Sequence, residues 1–371
     1  MCIGLFTFTV LEEKMTFLDD VAAMRRVDSQ GMLDRIGELP VQCQEAWQNV
    51  QHLELPAGYR DVDRIAILGM GGSAISGDLT QGLVADHCSV PIVSVRDYTL
   101  PAWIGPSTLA VASSYSGNTE ETLIAAEAAK QAGAKVVGLT SGGKLAQWCA
   151  QSRVPLIRFE YQSAPRAALG HSLTLLLGLL YRLGLAPNFS ADLDEAVAVM
   201  RTWNAEINET VPAAENVAKQ LAQRLIGRIP VMYGAGVLAA VARRWKTQFN
   251  ENSKCWAFYD PVPEMNHNSI VGTRWPDVAT NTIAAVFLTS AGDYPRNRLR
   301  LEITQDLLRQ QGFPVEVIAA RGESRLAQVL SLIHFGDYVS YYLAMLAESD
   351  PNDISLITYL KNRLAEAAAE R

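Results

Sequence analysis

Several absences narrow the class of this sequence before any motif is read. Its five cysteines (Cys2, Cys43, Cys88, Cys149, Cys255) are far apart and odd in number, with no C-x-x-C pair. That argues against a disulfide framework or a structural zinc, and for reduced thiols in a cytoplasmic protein. Basic clusters are missing too: the net charge is −7 and the pI about 5.4, with Lys and Arg scattered along the chain. No nucleic-acid partner is expected, and any anionic ligand has to be held locally. No apolar run approaches the roughly 20 residues that span a bilayer, so no membrane partner is expected either. The opening MCIGLFTFTV is apolar but has no basic n-region and runs into Glu12, Glu13 and Lys14, unlike a signal peptide. Met15, just before an amphipathic helical entry, is a candidate start. Cys2 reads as an incidental thiol, because too few residues precede the first α/β unit to build an N-terminal glutaminase domain around it.

The chain of 371 residues, 49% hydrophobic and 19% charged, has the composition of a compact protein and the length of two domains. From Arg64 onward, short buried strands alternate with helices. RIAILGM (64–70) precedes a helix near 73–84; VPIVSV (90–95) and STLAVASS (107–114) are strand-length apolar runs; a helix at 119–132 and the strand AKVVGL (134–139) follow. Continuous Val, Ile and Leu runs suit parallel strands covered on both faces, and the unit is expected to end in a helix near 167–184. After two bridging helices in 190–226 the scheme restarts. RIPVMYGAGVLAAVARR (228–244) echoes RIAILGMGGSAISGDL (64–79), and DVATNTIAAVFLTS, a helix at 296–311 and FPVEVIAA (313–320) complete a second copy. The expected architecture is α/β: two doubly wound parallel-sheet domains, 15–190 and 191–345, with a helical tail over 346–371.

The copies differ in one loop. After its third strand the first copy has SSYSGNTEET (113–122), where the second has only LTSAGDYP. A Gly, Ser and Thr-rich loop between a strand and a helix N-terminus offers an anion free N–H groups, hydroxyls and the positive end of a helix dipole. The first copy has two such loops, Gly69 to Ala74 and Ser113 to Thr119, both expected at strand carboxyl ends. A plain helix N-cap at Asn118 with Glu120 and Glu121 in the first turn would explain part of the second loop without a ligand. It leaves the hydroxyls at 113, 114 and 116 unexplained. GMGGSA also matches the dinucleotide-binding fingerprint, with Asp97 as a candidate ribose ligand, so a dinucleotide enzyme stays an alternative. The second hydroxyl loop favours a phosphate monoester.

Between apolar segments lies FNENSKCWAFYDPVPEMNHNSIVG (249–272), which holds Glu251, Lys254, Glu264 and His267. Singly these read as a helix end, a surface cation, a turn cap and a loop histidine. Together, a carboxylate and an imidazole near a phosphate clasp suit aldose–ketose isomerisation. His moves a proton at the ring oxygen, Glu carries one from C2 to C1, and a cation steadies the enediolate, with no cofactor or metal required.

At these residues the sequence resembles the bifunctional phosphoglucose/phosphomannose isomerases, built from two sugar-isomerase (SIS) domains. GMGGSAISGD, SSYSGNTEET, PRAALG, NENSK, PEMNHN and LKNRL occur in that family's order, over nearly the whole chain from Met15. The resemblance implies phosphate binding by Gly71, Gly72, Ser73, Ser114, Ser116 and Thr119. It implies Glu251 as the base, His267 as the ring-opening histidine, Arg166 as the enediolate-stabilising cation and Lys361 as a lysine assisting ring opening. It also implies sugar 6-phosphate substrates and a homodimer that shares its active sites, the histidine crossing the interface. A non-catalytic SIS regulator of the same ligands is the alternative; no output segment remains for it once two domains are counted. The chain departs from the family at Ser76, at Ser269 and at Asn352. The last stands where the family has a Thr near the substrate's C2–C3 end, which bears on glucose/mannose dual specificity; Ser355 and Thr358 are its candidate substitutes.

Overall fold

The computed structural model describes residues 16–369; Cys2 and the candidate start Met15 lie outside the described residues. Three helices lead in: α1 (Val21–Val27), α2 (Met32–Gly37) and α3 (Leu39–Val50). The first α/β unit follows as β1 (Arg64–Leu68), α4 (Gly71–Val84), β2 (Ile92–Val95), β3 (Thr108–Ser113), α5 (Glu120–Gln131), β4 (Lys135–Thr140), α6 (Gly143–Ser152), β5 (Leu156–Arg158) and α7 (Leu169–Arg182). Its sheet is parallel throughout, in the order β2-β1-β3-β4-β5. After α8 (Ser190–Ile207) and α9 (Val217–Leu225) come β6 (Ile229–Ala235), α10 (Val237–Glu251), β7 (Phe258–Val262), α11 (Ala279–Thr282), β8 (Ile283–Thr289), α12 (Pro295–Gln310), β9 (Val315–Ala319), α13 (Arg325–Leu346) and α14 (Ser355–Ala369).

The second sheet is also parallel, in the order β7-β6-β8-β9. Each copy therefore places its first strand between its second and third, which is the duplication expected from the sequence. Two strands were not legible in it. β5 has only three residues, and β7 lies at a sheet edge with exposed Phe258 and Tyr259 and with Pro261 next to its last residue, so neither carries the buried apolar run of its neighbours.

The apolar runs become strands because both their faces are covered: all six residues of β3 are buried. Between the halves, α13 packs against α2, α8, α9 and α10. It is the one described helix long and apolar enough to cross a membrane, and the apolar stretch that would do so is buried inside the protein. Each Leu or Ile hidden this way contributes about 1.5–3 kcal/mol. The two copies meet where α4 crosses α10, and Gly82 permits the approach, since a Cβ there would lie 2.7 Å from a Val237 methyl.

Buried histidines make the fold acid-sensitive. The His171 ring is 2% exposed, stacks on Phe159 at 5.1 Å, and has no hydrogen-bond partner for either nitrogen among the described residues. Desolvation pushes it down to about 4 and wholly buried His334 to about 3. An unfolded imidazole binds its proton below about 6.5, so between that pH and 4 the unfolded state holds more protons and stability falls as pH falls. The expected slope is about 1.4 kcal/mol per pH unit for each histidine. Urea unfolding of wild type and His171→Phe across pH 4–6.5 checks this: the variant should lose one histidine's share of the slope.

Candidate active site

In an open α/β sheet, ligands bind where the strand order reverses, beyond the carboxyl ends of the strands. In the first copy that point lies between β1 and β3, and the two glycine- and hydroxyl-bearing loops leave from there. α4 begins at Gly71 with Met70 as its N-cap and no side-chain capping bond, so nothing from a side chain occupies its leading N–H groups. Ser73, almost wholly buried, accepts a hydrogen bond at Oγ from the Tyr115 N–H at 3.3 Å, which ties the two loops together. Ser114 Oγ and Thr119 Oγ1 share a bond of 2.9 Å, and Ser116 Oγ accepts from the Asn118 N–H at 3.2 Å.

The helix cap differs from expectation. Thr119 is the N-cap of α5, with no side-chain capping bond, and Asn118 instead accepts from the Lys144 N–H in the first turn of α6. The chain turns at Gly117 so that this loop interlocks with 141–144, which draws Asn118 towards the neighbouring helix and away from its own. Gly117 has φ +65°, and a Cβ there would sit 1.9 Å from the Gly142 carbonyl oxygen. No other residue fits.

Arg166 lies in the short turn Pro165–Ala167 and is 2% exposed. A Cβ on Gly72 would lie 3.4 Å from its Cα, so the first loop rests directly on this turn. Its side chain crosses to the second copy. Nε donates to Asn252 Oδ1 at 2.7 Å, Nη1 approaches Glu251 Oε2 at 3.4 Å, and Nη2 donates to the Pro351 carbonyl at 2.5 Å. Burial pushes the Arg166 guanidinium below its ordinary value, with Glu251 opposing. Glu251 itself ends α10 and remains partly open to solvent.

The structure thus brings the two loops, Arg166 and Glu251 together. It shows no hydrogen bond or ion pair from His267 or Lys361 to any of them among the described residues. His267 is the exposed last residue of the turn Glu264–His267, beyond edge strand β7, and its ring makes no hydrogen bond or ion pair among the described residues. Lys361 sits on α14, where all side chains from Asp353 to Ala367 are exposed. Glu264 accepts from Asn268 Nδ2 at 2.7 Å and does not cap the turn, whose N-cap is Pro263. Lys254 is more than a surface cation: Nζ donates to the carbonyls of Glu251, Asn252 and Pro351 at 2.6, 3.4 and 3.2 Å. Desolvation, then Arg166, pushes its ammonium below the usual lysine value. The Asn352 amide donates to Asp28 Oδ1 at 2.7 Å and Asp350 Oδ1 at 3.1 Å, which fastens its turn to the start of α2. Sequence reasoning missed Asn252, although it stands inside the NENSK motif.

A cavity of about 550 Å³ opens at the corresponding strand ends of the second copy, beside Gly236, Ser290 and Arg325. Asp86, Asp293 and Glu323 line it, and Asp86 already pairs with Arg325, so its lining repels a phosphate.

A family model for the bacterial phospho-glucose isomerase C-terminal SIS domain matches residues 214–364. The chain is 41% identical over 336 residues to a bifunctional phosphoglucose/phosphomannose isomerase of Caldicellulosiruptor bescii, covering 90% of this chain and 99% of that one. The chain belongs to the bifunctional phosphoglucose/phosphomannose isomerase family. A relative of the same name from Thermoplasma acidophilum is 37% identical over 302 residues, 81% of this chain and 89% of that one. The fold of this family member extends further. The crystal structure of tagatose-6-phosphate ketose/aldose isomerase from Escherichia coli aligns with a TM-score of 0.69 at 16% identity, over 87% of this chain and 95% of that one.

Gly117→Ala in this family member should force loops 114–119 and 141–144 apart. The expected result is a melting midpoint lowered by at least about 2 °C, with faster amide exchange confined to those two loops.

Proposed function

We propose that the chain interconverts glucose 6-phosphate and mannose 6-phosphate with fructose 6-phosphate through ring opening and a cis-enediolate, without a metal or cofactor. The observation that carries this reading is the Arg166–Glu251 pair, lodged beside two glycine- and hydroxyl-bearing loops whose helices start without a side-chain capping bond.

In this account the N-terminal unit, 15–190, holds the phosphate through Gly71, Gly72, Ser73, Ser114, Ser116 and Thr119. Anchoring the phosphate fixes C1 and C2 against the base, which removes much of the entropic cost of reaction. The second unit, 191–345, supplies the acid–base chemistry. His267 takes the proton from the C1 hydroxyl and delivers one to the ring oxygen as the ring opens, with Lys361 of the 346–371 tail assisting. Glu251 then removes the C2 proton of the open aldose and returns it to C1. Negative charge gathers on the oxygens as the enediolate forms, and the Arg166 guanidinium, fixed before substrate arrives, stabilises it at no cost in reorganisation.

His267 and Lys361 make no hydrogen bond or ion pair with Glu251 among the described residues, which supports a homodimer whose partner completes each site. Exposed apolar side chains lie near both in sequence: Trp256 is 73% exposed, Val271 and Trp275 76%, and Leu356 on α14 82%. Patches of this kind mark association surfaces. A cytoplasmic location suits the free thiols of Cys43, Cys88, Cys149 and Cys255.

Glu251→Gln is expected to lower kcat by about 10²–10⁴-fold while leaving fructose 6-phosphate affinity within a few-fold. EDTA should leave wild-type turnover unchanged. Coupled assays with both aldose phosphates, and calorimetry on the variant, test this; near-wild-type turnover by Glu251→Gln would remove Glu251 as the base.

A further inference from the structure

Arg166 is buried, yet its two short hydrogen bonds go to uncharged acceptors, Asn252 Oδ1 and the Pro351 carbonyl. Glu251 stands at 3.4 Å, outside the usual N–H···O range. The other carboxylate within reach, Asp337, is taken by a different guanidinium. Arg244 Nη2 donates to Asp337 Oδ2 at 2.9 Å, with Arg244 1% and Asp337 8% exposed. The same nitrogen donates to the Arg166 backbone carbonyl at 2.8 Å, so Arg244 fixes the Arg166 backbone while its charge is met by Asp337.

Asn252 is itself held rigidly. It is fully buried, its Nδ2 donates to Ser340 Oγ at 3.0 Å, and Ser340 Oγ donates to the Asp337 carbonyl at 2.7 Å. Because a guanidinium can only donate, the atom turned towards Arg166 has to be the amide oxygen. An aspartate has nearly the same shape and accepts more strongly. It would hold Arg166 at least as well, but it would cancel the guanidinium's field in a water-poor site.

We infer that Asn252 is a positioning residue whose neutral acceptor fixes Arg166 while leaving its positive charge free for the anion formed during turnover. This rests on the isomerase reading of Arg166 given above. Two demands on position 252 are separable: a geometric one, which asparagine and aspartate both meet, and an electrostatic one, which only asparagine meets.

The test compares wild type, Arg166→Ala, Asn252→Ala and Asn252→Asp as full chains. The readouts are kcat and KM for fructose 6-phosphate, their pH profiles, and the calorimetric affinity for 5-phosphoarabinonate, a stable anion resembling the enediolate. Asn252→Asp should lower kcat about a hundredfold, the scale of losing one preorganised oxyanion partner. Its KM should stay within about threefold of wild type, because the phosphate loops are untouched. Affinity for the analogue should fall in parallel with kcat, and neither should recover as pH drops, because the guanidinium holds the new carboxyl ionised. A purely structural role predicts the reverse order, with Asn252→Asp close to wild type and only Asn252→Ala impaired; that result overturns the inference. If circular dichroism shows Asn252→Asp unfolded, Asn252→Ser replaces it. The shorter hydroxyl cannot reach Arg166, so kcat and analogue affinity should fall together while KM stays within about threefold of wild type, and a folded Ser variant with undiminished kcat overturns the inference. An inert wild type, or an Arg166→Ala protein with undiminished kcat, would instead remove the isomerase reading and this proposal with it.

Discussion

The side chain of Arg166 joins three parts of the molecule at one buried point. It leaves a turn of the first α/β copy, bonds Asn252 and approaches Glu251 at the end of α10 in the second, and reaches the Pro351 carbonyl just before the C-terminal helix. Burying a guanidinium is costly unless each donor finds a partner. Here the satisfaction comes from separate segments, so the copies must stand at one relative position for it to be met. Lys254 donates to the same Pro351 carbonyl, and Asn352 ties the next residue to Asp28. The turn that launches α14 is thereby fixed to the site.

Duplication gives the chain two strand-order switch points, and only one of them carries the hydroxyl-bearing loops. Both copies put their first strand between the second and third, so both have a switch point where a ligand can sit. Only the first surrounds that point with Ser73, Ser114, Ser116 and Thr119. At the equivalent place the second offers acidic side chains and gives up its long helix α10 to carry Glu251 back across the molecule. Because α4 starts at the glycine-rich loop and α10 ends at Glu251, the crossing at Gly82 and Val237 sets how far apart these two features stand.

Much of this could be read from the chain. Buried strands with glycine turns revealed the α/β order and the repeat, because fully covered parallel strands leave an unbroken apolar signature. The hydroxyl loops and the polar stretch after Phe249 stood out against that background. What stayed hidden has common physical causes. β7 is an exposed edge strand with a proline, and so resembles a loop. Asn118 caps a helix other than its own, which no local pattern can express. Arg166, Asn252 and Asp337 are far apart in sequence, and each alone has an ordinary explanation. Motif resemblance drew attention to Arg166, but its neutral partners come from Asn252 and Pro351, far along the chain, and no local pattern expresses that.

The central claim is that each active site combines Glu251 of one protomer with His267 of the other, and a mixing experiment addresses it directly. Glu251→Gln and His267→Ala proteins, each inactive alone, are unfolded together, refolded as a mixture and assayed for fructose 6-phosphate isomerisation. A mixed dimer then has one site carrying both defects and one carrying neither, so the account predicts that activity reappears. Activity that stays at the level of the separate variants, with mixed dimers confirmed by mass spectrometry, would mean both residues act within one chain and would contradict it.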